Sequence, residues 1–285
     1  MLQFVQDIMN YEFLQKALFT SIMVGILCGV IGSFIILRGM ALMGDAISHA
    51  ILPGVAISFM LGINYFYGAV LMGIITALGI GFVTQNSRIK SDSSIGIVFS
   101  AFFALGILLL MKAQTAVDLS QILFGNVLSV RSSDMWLTLI IGVVVLLFVF
   151  IFYKEFLITT FDPIISKSYG IPTKLVHYGL MVLLTLVTVA SLQTVGVILV
   201  VAMLITPAAT AYLLTNRLST MIFLSAFFGA VSSVLGLYFS FKYNLTSGAV
   251  IVLVATALFI LAFLFAPQQG IIWRSLRSNK KKVSY

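Results

Sequence analysis

Residues 246–266 read TSGAVIVLVATALFILAFLFA, an unbroken stretch with no charged side chain. About 20 apolar residues make a helix long enough to cross the hydrocarbon core of a bilayer. Eight more apolar segments precede this one, at approximately 14–37, 40–60, 63–84, 94–112, 134–153, 175–192, 195–213 and 219–240. Short polar or Gly/Pro punctuation separates them. Composition agrees, with 61% hydrophobic and 8% charged residues against roughly a quarter charged in soluble domains. A soluble domain of this make-up would have too little polar surface to show to water. The expected fold is all-α, a polytopic integral membrane protein with eight or nine transmembrane helices. Segment 40–60 leaves the count open, because polar residues and Pro53 interrupt it. Residues 117–130 are too short and too polar to span, and read as a re-entrant or interfacial helix. No polar stretch between spans is long enough for a soluble domain, so residues 1–285 form a single membrane domain.

The net charge of +8 does not indicate a nucleic-acid partner. The basic residues punctuate the apolar runs instead of forming a stripe, apart from Lys280, Lys281 and Lys282 at the end of the chain. They set an orientation. With the basic tail 267–285 in the cytoplasm, Arg217, the loop from Lys154 to Lys174, the loop from Arg88 to Lys90 and Arg38 fall there too. Lys16, Lys112, Arg131 and Lys242 fall outside, and the amino terminus is left on either side. Residues 1–13 carry Asp7 and Glu12 without an early Lys or Arg, the wrong pattern for a cleavable signal peptide. They read as an amphipathic lead-in. Cys28 is the sole cysteine, so neither a disulfide framework nor a thiolate cage is available.

Of the eight acids, Asp45 alone lies inside an apolar segment. His49 follows four residues later, on the same helical face. Counted from Arg38 along a helix, His49 lies about 16 Å deep, near the bilayer centre. A carboxylate and an imidazole there admit three readings: a pair satisfying each other, ligands on a divalent metal's path, or a proton relay. Pro53 cannot donate to the carbonyl of His49, nor Pro207 to that of Met203. Such carbonyls at mid-depth either mark a plain kink or line a cavity. Ser48, Pro53, Met203, Thr206 and Pro207 are the candidate residues of the pathway, and Thr210 offers a further hydroxyl. Asp118 reads as a solvated outer-loop acid, and His177 as a residue at the membrane interface.

Residues 159–174 read TTFDPIISKSYGIPTK. Asp162 before Pro163 marks a helix start, and Gly170 with Pro172 its stop. A short helix held between two spans suits docking of a soluble partner, and equally an idle connector.

Three ordered motifs carry a resemblance. GDAISHAILPG at 44–54, LFGN at 123–126 and LITPAATA at 204–211 resemble the signature of permeases in the ABC importers of manganese, zinc and iron. The likeness extends over essentially the whole chain. It implies a homodimer of permeases, a pair of cytoplasmic ABC ATPase subunits and an extracellular metal-binding protein, in a bacterial plasma membrane. It also implies that Asp45 and His49 handle the ion. A coupling helix within 159–174 would fit the ATPase, with Asp162, Pro163 and Gly170 fixing it. Pro53 and the wording GDAISHA are more similar to the Gram-positive manganese branch, zinc members tending to carry Leu at that proline. No cofactor is expected to be permanently bound, and the transported manganese, or zinc or iron, is substrate. The chain has no Gly-x-x-x-x-Gly-Lys-Ser/Thr loop, so ATP hydrolysis is expected on a partner, and this chain is a transport subunit and not an enzyme. A proton-coupled secondary transporter is the alternative. An intramembrane metalloenzyme fits poorly, since there is no His-Glu-x-x-His.

Overall fold

The structure, a computed structural model, describes residues 6–8, 10–112 and 127–266. Among these there is no strand. The helices are α1 (Glu12–Leu37), α2 (Met43–Ala50), α3 (Leu52–Met60), α4 (Tyr65–Asn86), α5 (Ser91–Lys112), α6 (Ser132–Ile151), α7 (Tyr153–Phe161), α8 (Pro163–Ser168), α9 (Thr173–Val195), α10 (Val197–Leu214), α11 (Leu218–Tyr243) and α12 (Ser247–Phe265). A 3₁₀ turn, Val127–Ser129, precedes α6. Nine spans among the described residues are long and apolar enough to cross a membrane, with α2 and α3 together forming the one from Met43 to Met60. Of the expected lead-in, residues 6–8 and 10 are helical and Tyr11 separates them from α1. Asp118, the LFGN motif, residues 117–126 of the expected re-entrant helix and the tail 267–285 lie outside the described residues.

Local chemistry sets the ends. The side chain of Asn64 accepts the N–H of Phe66 at 2.9 Å and starts α4. Between α9 and α10 only Gly196 intervenes, at φ +84 and ψ 165, backbone that a side chain would forbid. The two spans are therefore joined through one residue.

In lipid, apolar side chains gain little by meeting each other, so close backbone packing and interhelical hydrogen bonds hold the spans together. The crossing of α1 with α11 uses both. A Cβ on Gly25 would stand 2.6 Å from the Gly229 carbonyl oxygen, and one on Gly29 2.7 Å from that of Ser225. Ser225 Oγ donates to Gly29 O at 2.8 Å, and Ser233 Oγ to Ser21 O at 2.8 Å. α10 lies against the same helix, its Leu204 carbonyl occupying the place a Cβ on Gly32 would need. α1 and the α2–α3 span are thus mostly buried, while α5 and α6 face mostly outward. On the far side α3 packs on α4 through Gly54 and Gly68, and α5 lies on α3 where Gly106 meets Leu52 and Pro53.

Candidate metal site and its connection to the coupling segment

α2 is a helix of eight residues, MGDAISHA, begun by a turn and ended by a proline. Gly39, at φ +65, turns the chain after α1, and the N–H of Met40 returns to Ile35 O at 3.0 Å. The helix does not run continuously from Arg38, so the span that holds His49 is counted from Met43 instead. Only six positions of helix separate Met43 from His49, about 9 Å of rise. His49 is the seventh of the eighteen residues from Met43 to Met60, two to three positions short of the middle of that span. At the other end of α2, the N–H of Ile51 bonds to Ile47 O at 3.2 Å and that of Val55 to Ile51 O at 3.1 Å. The helix breaks at Ile51, where Pro53 cannot supply the rung to His49.

Each face of α2 has a different neighbour. Gly44 lies against α10, where an added Cβ would stand 2.7 Å from Leu204 Cδ1. Ser48 is buried, and its hydroxyl donates to Gly44 O at 2.8 Å within the helix. Asp45 and His49 share another face, with Oδ1 and Nε2 3.5 Å apart. The imidazole meets α5, with ring centroids 5.9 Å from Phe99 and 5.6 Å from Phe103. The side chains remain 47% exposed at Asp45 and 23% at His49, so one copy of the chain leaves the pair open on a side. No group of three or more His, Cys, Asp or Glu among the described residues is placed to hold a metal. Among the described residues this face offers one carboxylate and one imidazole.

The other candidates fall nearby without joining the pair. Met203, Pro207 and Thr210 are buried in α10, and Thr206 is half-buried. Thr210 Oγ1 donates to Thr206 O at 2.7 Å, and Pro207 lies inside α10 without ending it. The two helices touch where Gly44 meets Leu204. No hydrogen bond or ion pair among the described residues links Asp45 or His49 to Met203, Thr206 or Pro207.

The segment 159–174 forms the helix α8 that its residues announce. Asp162 Oδ1 accepts the N–H groups of Ile164 and Ile165, each at 2.9 Å, with Pro163 in the first turn. Gly170 follows at φ +74, a left-handed position that suits glycine. Ile164 on α8 is 80% exposed and Tyr169, which follows the helix, 75%; both lie outside the nine spans.

Sequence reasoning treated Arg38 only as a boundary. In the fold it meets both flanks of α8. Its Nε donates to Thr160 Oγ1 at 3.1 Å, its Nη2 to Thr159 Oγ1 at 2.8 Å, and its Nη1 lies 3.5 Å from His177 Nδ1. Burial pushes its pKa down to about 10, so it is cationic at neutral pH. The contact also places the end of α1, the end of α7 and the start of α9 together, as the alternation of basic loops requires.

Comparison with known proteins agrees with this architecture. Manganese transport system membrane protein MntC of Listeria monocytogenes is 66% identical over 280 residues, spanning 98% of this chain and 99% of that protein. Manganese import system permease protein ScaB of Streptococcus gordonii is 50% identical over 275 residues, spanning 96% of this chain and 99% of that protein. The solved structure of PsaBC from Streptococcus pneumoniae in complex with Fab superposes with a TM-score of 0.85 at 53% identity, over 94% of this chain and 97% of that one. The ABC 3 transport family matches residues 10–266, all but the two ends, and to that family this chain belongs.

Proposed function

We propose that the chain is the membrane-spanning permease of an ATP-driven importer of a divalent transition metal, manganese, in a bacterial plasma membrane. The observation that carries this reading is the Asp45–His49 pair, one helical turn apart on a short interrupted helix and open on one side. Ionisable residues inside a span mark ion pathways. The manganese names of relatives at 66% and 50% identity support the choice of metal. Zinc and iron remain chemically admissible, since Asp and His ligands suit all three.

The partial ligand set suits transport. An ion that must both arrive and leave is best held by few protein ligands, with the remainder from carbonyls, water and a second copy of the chain. Ser48, the carbonyl freed by Pro53, and Met203, Thr206 and Pro207 on α10 are assigned to the lining of the route. ATP is hydrolysed on a pair of cytoplasmic ABC ATPases, against which α8 docks through Ile164 and the Tyr169 that follows it. Asp162, Pro163 and Gly170 fix the shape of that helix. An extracellular metal-binding protein delivers the ion on the opposite face, and the basic carboxy-terminal tail is cytoplasmic. Closure of the ATPase pair moves α8 and exposes the Asp45–His49 site alternately to either side.

Reconstitution of the dimer with its ATPase into vesicles tests this. Manganese uptake should require ATP, and Asp45→Ala or His49→Ala should reduce it to background while the protein still inserts and assembles. Normal uptake by either variant would sink the assignment. Uptake driven by a pH gradient without ATP would favour the proton-coupled alternative.

A further inference from the structure

α1 and α7 lie side by side, joined by two rungs one helical turn apart. In the first, Phe34 packs on Phe156, with ring centroids 5.5 Å apart and both side chains fully buried. In the second, Arg38 binds Thr159 and Thr160. Each threonine hydroxyl donates to a carbonyl of its own helix, Thr159 to Glu155 O at 2.7 Å and Thr160 to Phe156 O at 2.6 Å. Their lone pairs are thereby turned to accept from the guanidinium. The third arm of the fork reaches His177 on α9.

Two features make this more than an anchor. Arg38 is half-buried, yet none of the ion pairs among the described residues includes it. Withdrawing a cation from water without a counter-ion is unfavourable unless its hydrogen bonds are good. A second apolar rung would join the helices at lower cost. The guanidinium instead supplies a fork of fixed geometry that reaches two elements at once. Those elements are the ones that flank α8, since α7 ends at Phe161 and α9 begins at Thr173. On the other side Arg38 is covalently close to α2, across a turn closed by the N–H of Met43 on Met40 O at 3.0 Å.

We propose that Arg38 is a positioning residue that couples α8 to α2, so that displacement of the α7–α8–α9 segment is passed to the helix carrying Asp45 and His49. This rests on the reading of the chain as an ATP-coupled permease. The polar rung is the step at which the path can be cut without breaking the chain.

The test uses the full-length dimer with its ATPase in vesicles, with ATP hydrolysis and manganese uptake measured on the same preparation. Arg38→Lys keeps the charge and loses the fork. Thr159→Val with Thr160→Val keeps Arg38 and removes its acceptors. Both should retain most of the hydrolysis and lose about tenfold in manganese moved per ATP. Thr159→Ser with Thr160→Ser keeps both hydroxyls and should behave as wild type. An unchanged ratio, or equal loss of both activities in an assembled complex, would overturn the proposal. Should Arg38→Lys fail to assemble, the valine pair decides alone. Wild-type vesicles that import manganese without ATP would instead sink the permease reading, a separate and recognisable failure.

Discussion

Asp162 presents one oxygen to two backbone N–H groups at the start of α8, and losing such a cap costs a helix about 1 kcal/mol. Asp162→Ala should therefore weaken association of the ATPase with the permease roughly fivefold, while Asp162→Asn or Asp162→Ser retains it; titration of the purified subunits in detergent checks both. An alanine variant that binds as well as wild type would show that α8 is not the docking element. At this scale legibility depended on contrast. Asp45 and His49 stood out because every neighbour in the segment is apolar or small, and Asp162, Pro163 and Gly170 because capping chemistry is local. Arg38 did not, because its partners Thr159 and Thr160 lie 121 and 122 positions away. An arginine at the end of an apolar run looks the same whether it meets lipid head groups or a neighbouring helix.

Among the elements, the crossing of α1 with α11 makes a sharp prediction. A side chain at Gly229 would collide with the backbone of Gly25, and overpacking of this kind costs about 1–3 kcal/mol. Gly229→Val should lower the melting temperature of the detergent-solubilised protein by several degrees. Gly96→Ala, with open space around its Cβ position, should leave it unchanged or raise it slightly, since alanine favours a helix over glycine by about 1 kcal/mol. Equal melting temperatures for the two variants would show that the small residues do not set the crossing. The glycine spacing of α1 is visible in the sequence; its partner is not, because small residues recur along several spans. The break in the second span was legible from Pro53. The turn at Gly39 was not legible, so depth was counted along one helix from Arg38, whereas the span begins only at Met43.

For the whole molecule, the apolar pattern gives eight or nine spans, of which the described residues form nine, and the alternation of basic loops gives an arrangement consistent with the contact of Arg38 to the start of α9. Metal choice belongs to this scale, because among the described residues of one copy no group of three or more His, Cys, Asp or Glu is placed to hold an ion. Zinc binds nitrogen and oxygen ligands more tightly than manganese, so at an Asp–His site zinc should inhibit manganese uptake at lower concentration than it supports its own transport. Initial-rate competition in vesicles measures this, and an absence of zinc inhibition would count against the proposed Asp45–His49 site.

The hydrogen bond between Ser21 and Ser233 joins residues 212 positions apart. A ribosome adding about 5–20 residues per second needs on the order of 10–40 s to cover that interval. During that time the first span sits in the bilayer with its glycine–serine stripe facing lipid or the translocation machinery. The crossing of α1 with α11 is therefore completed late, by the arrival of the eighth span. Chains terminated before Leu218 should be recognised as unfinished and degraded, even though most of their helices are already inserted.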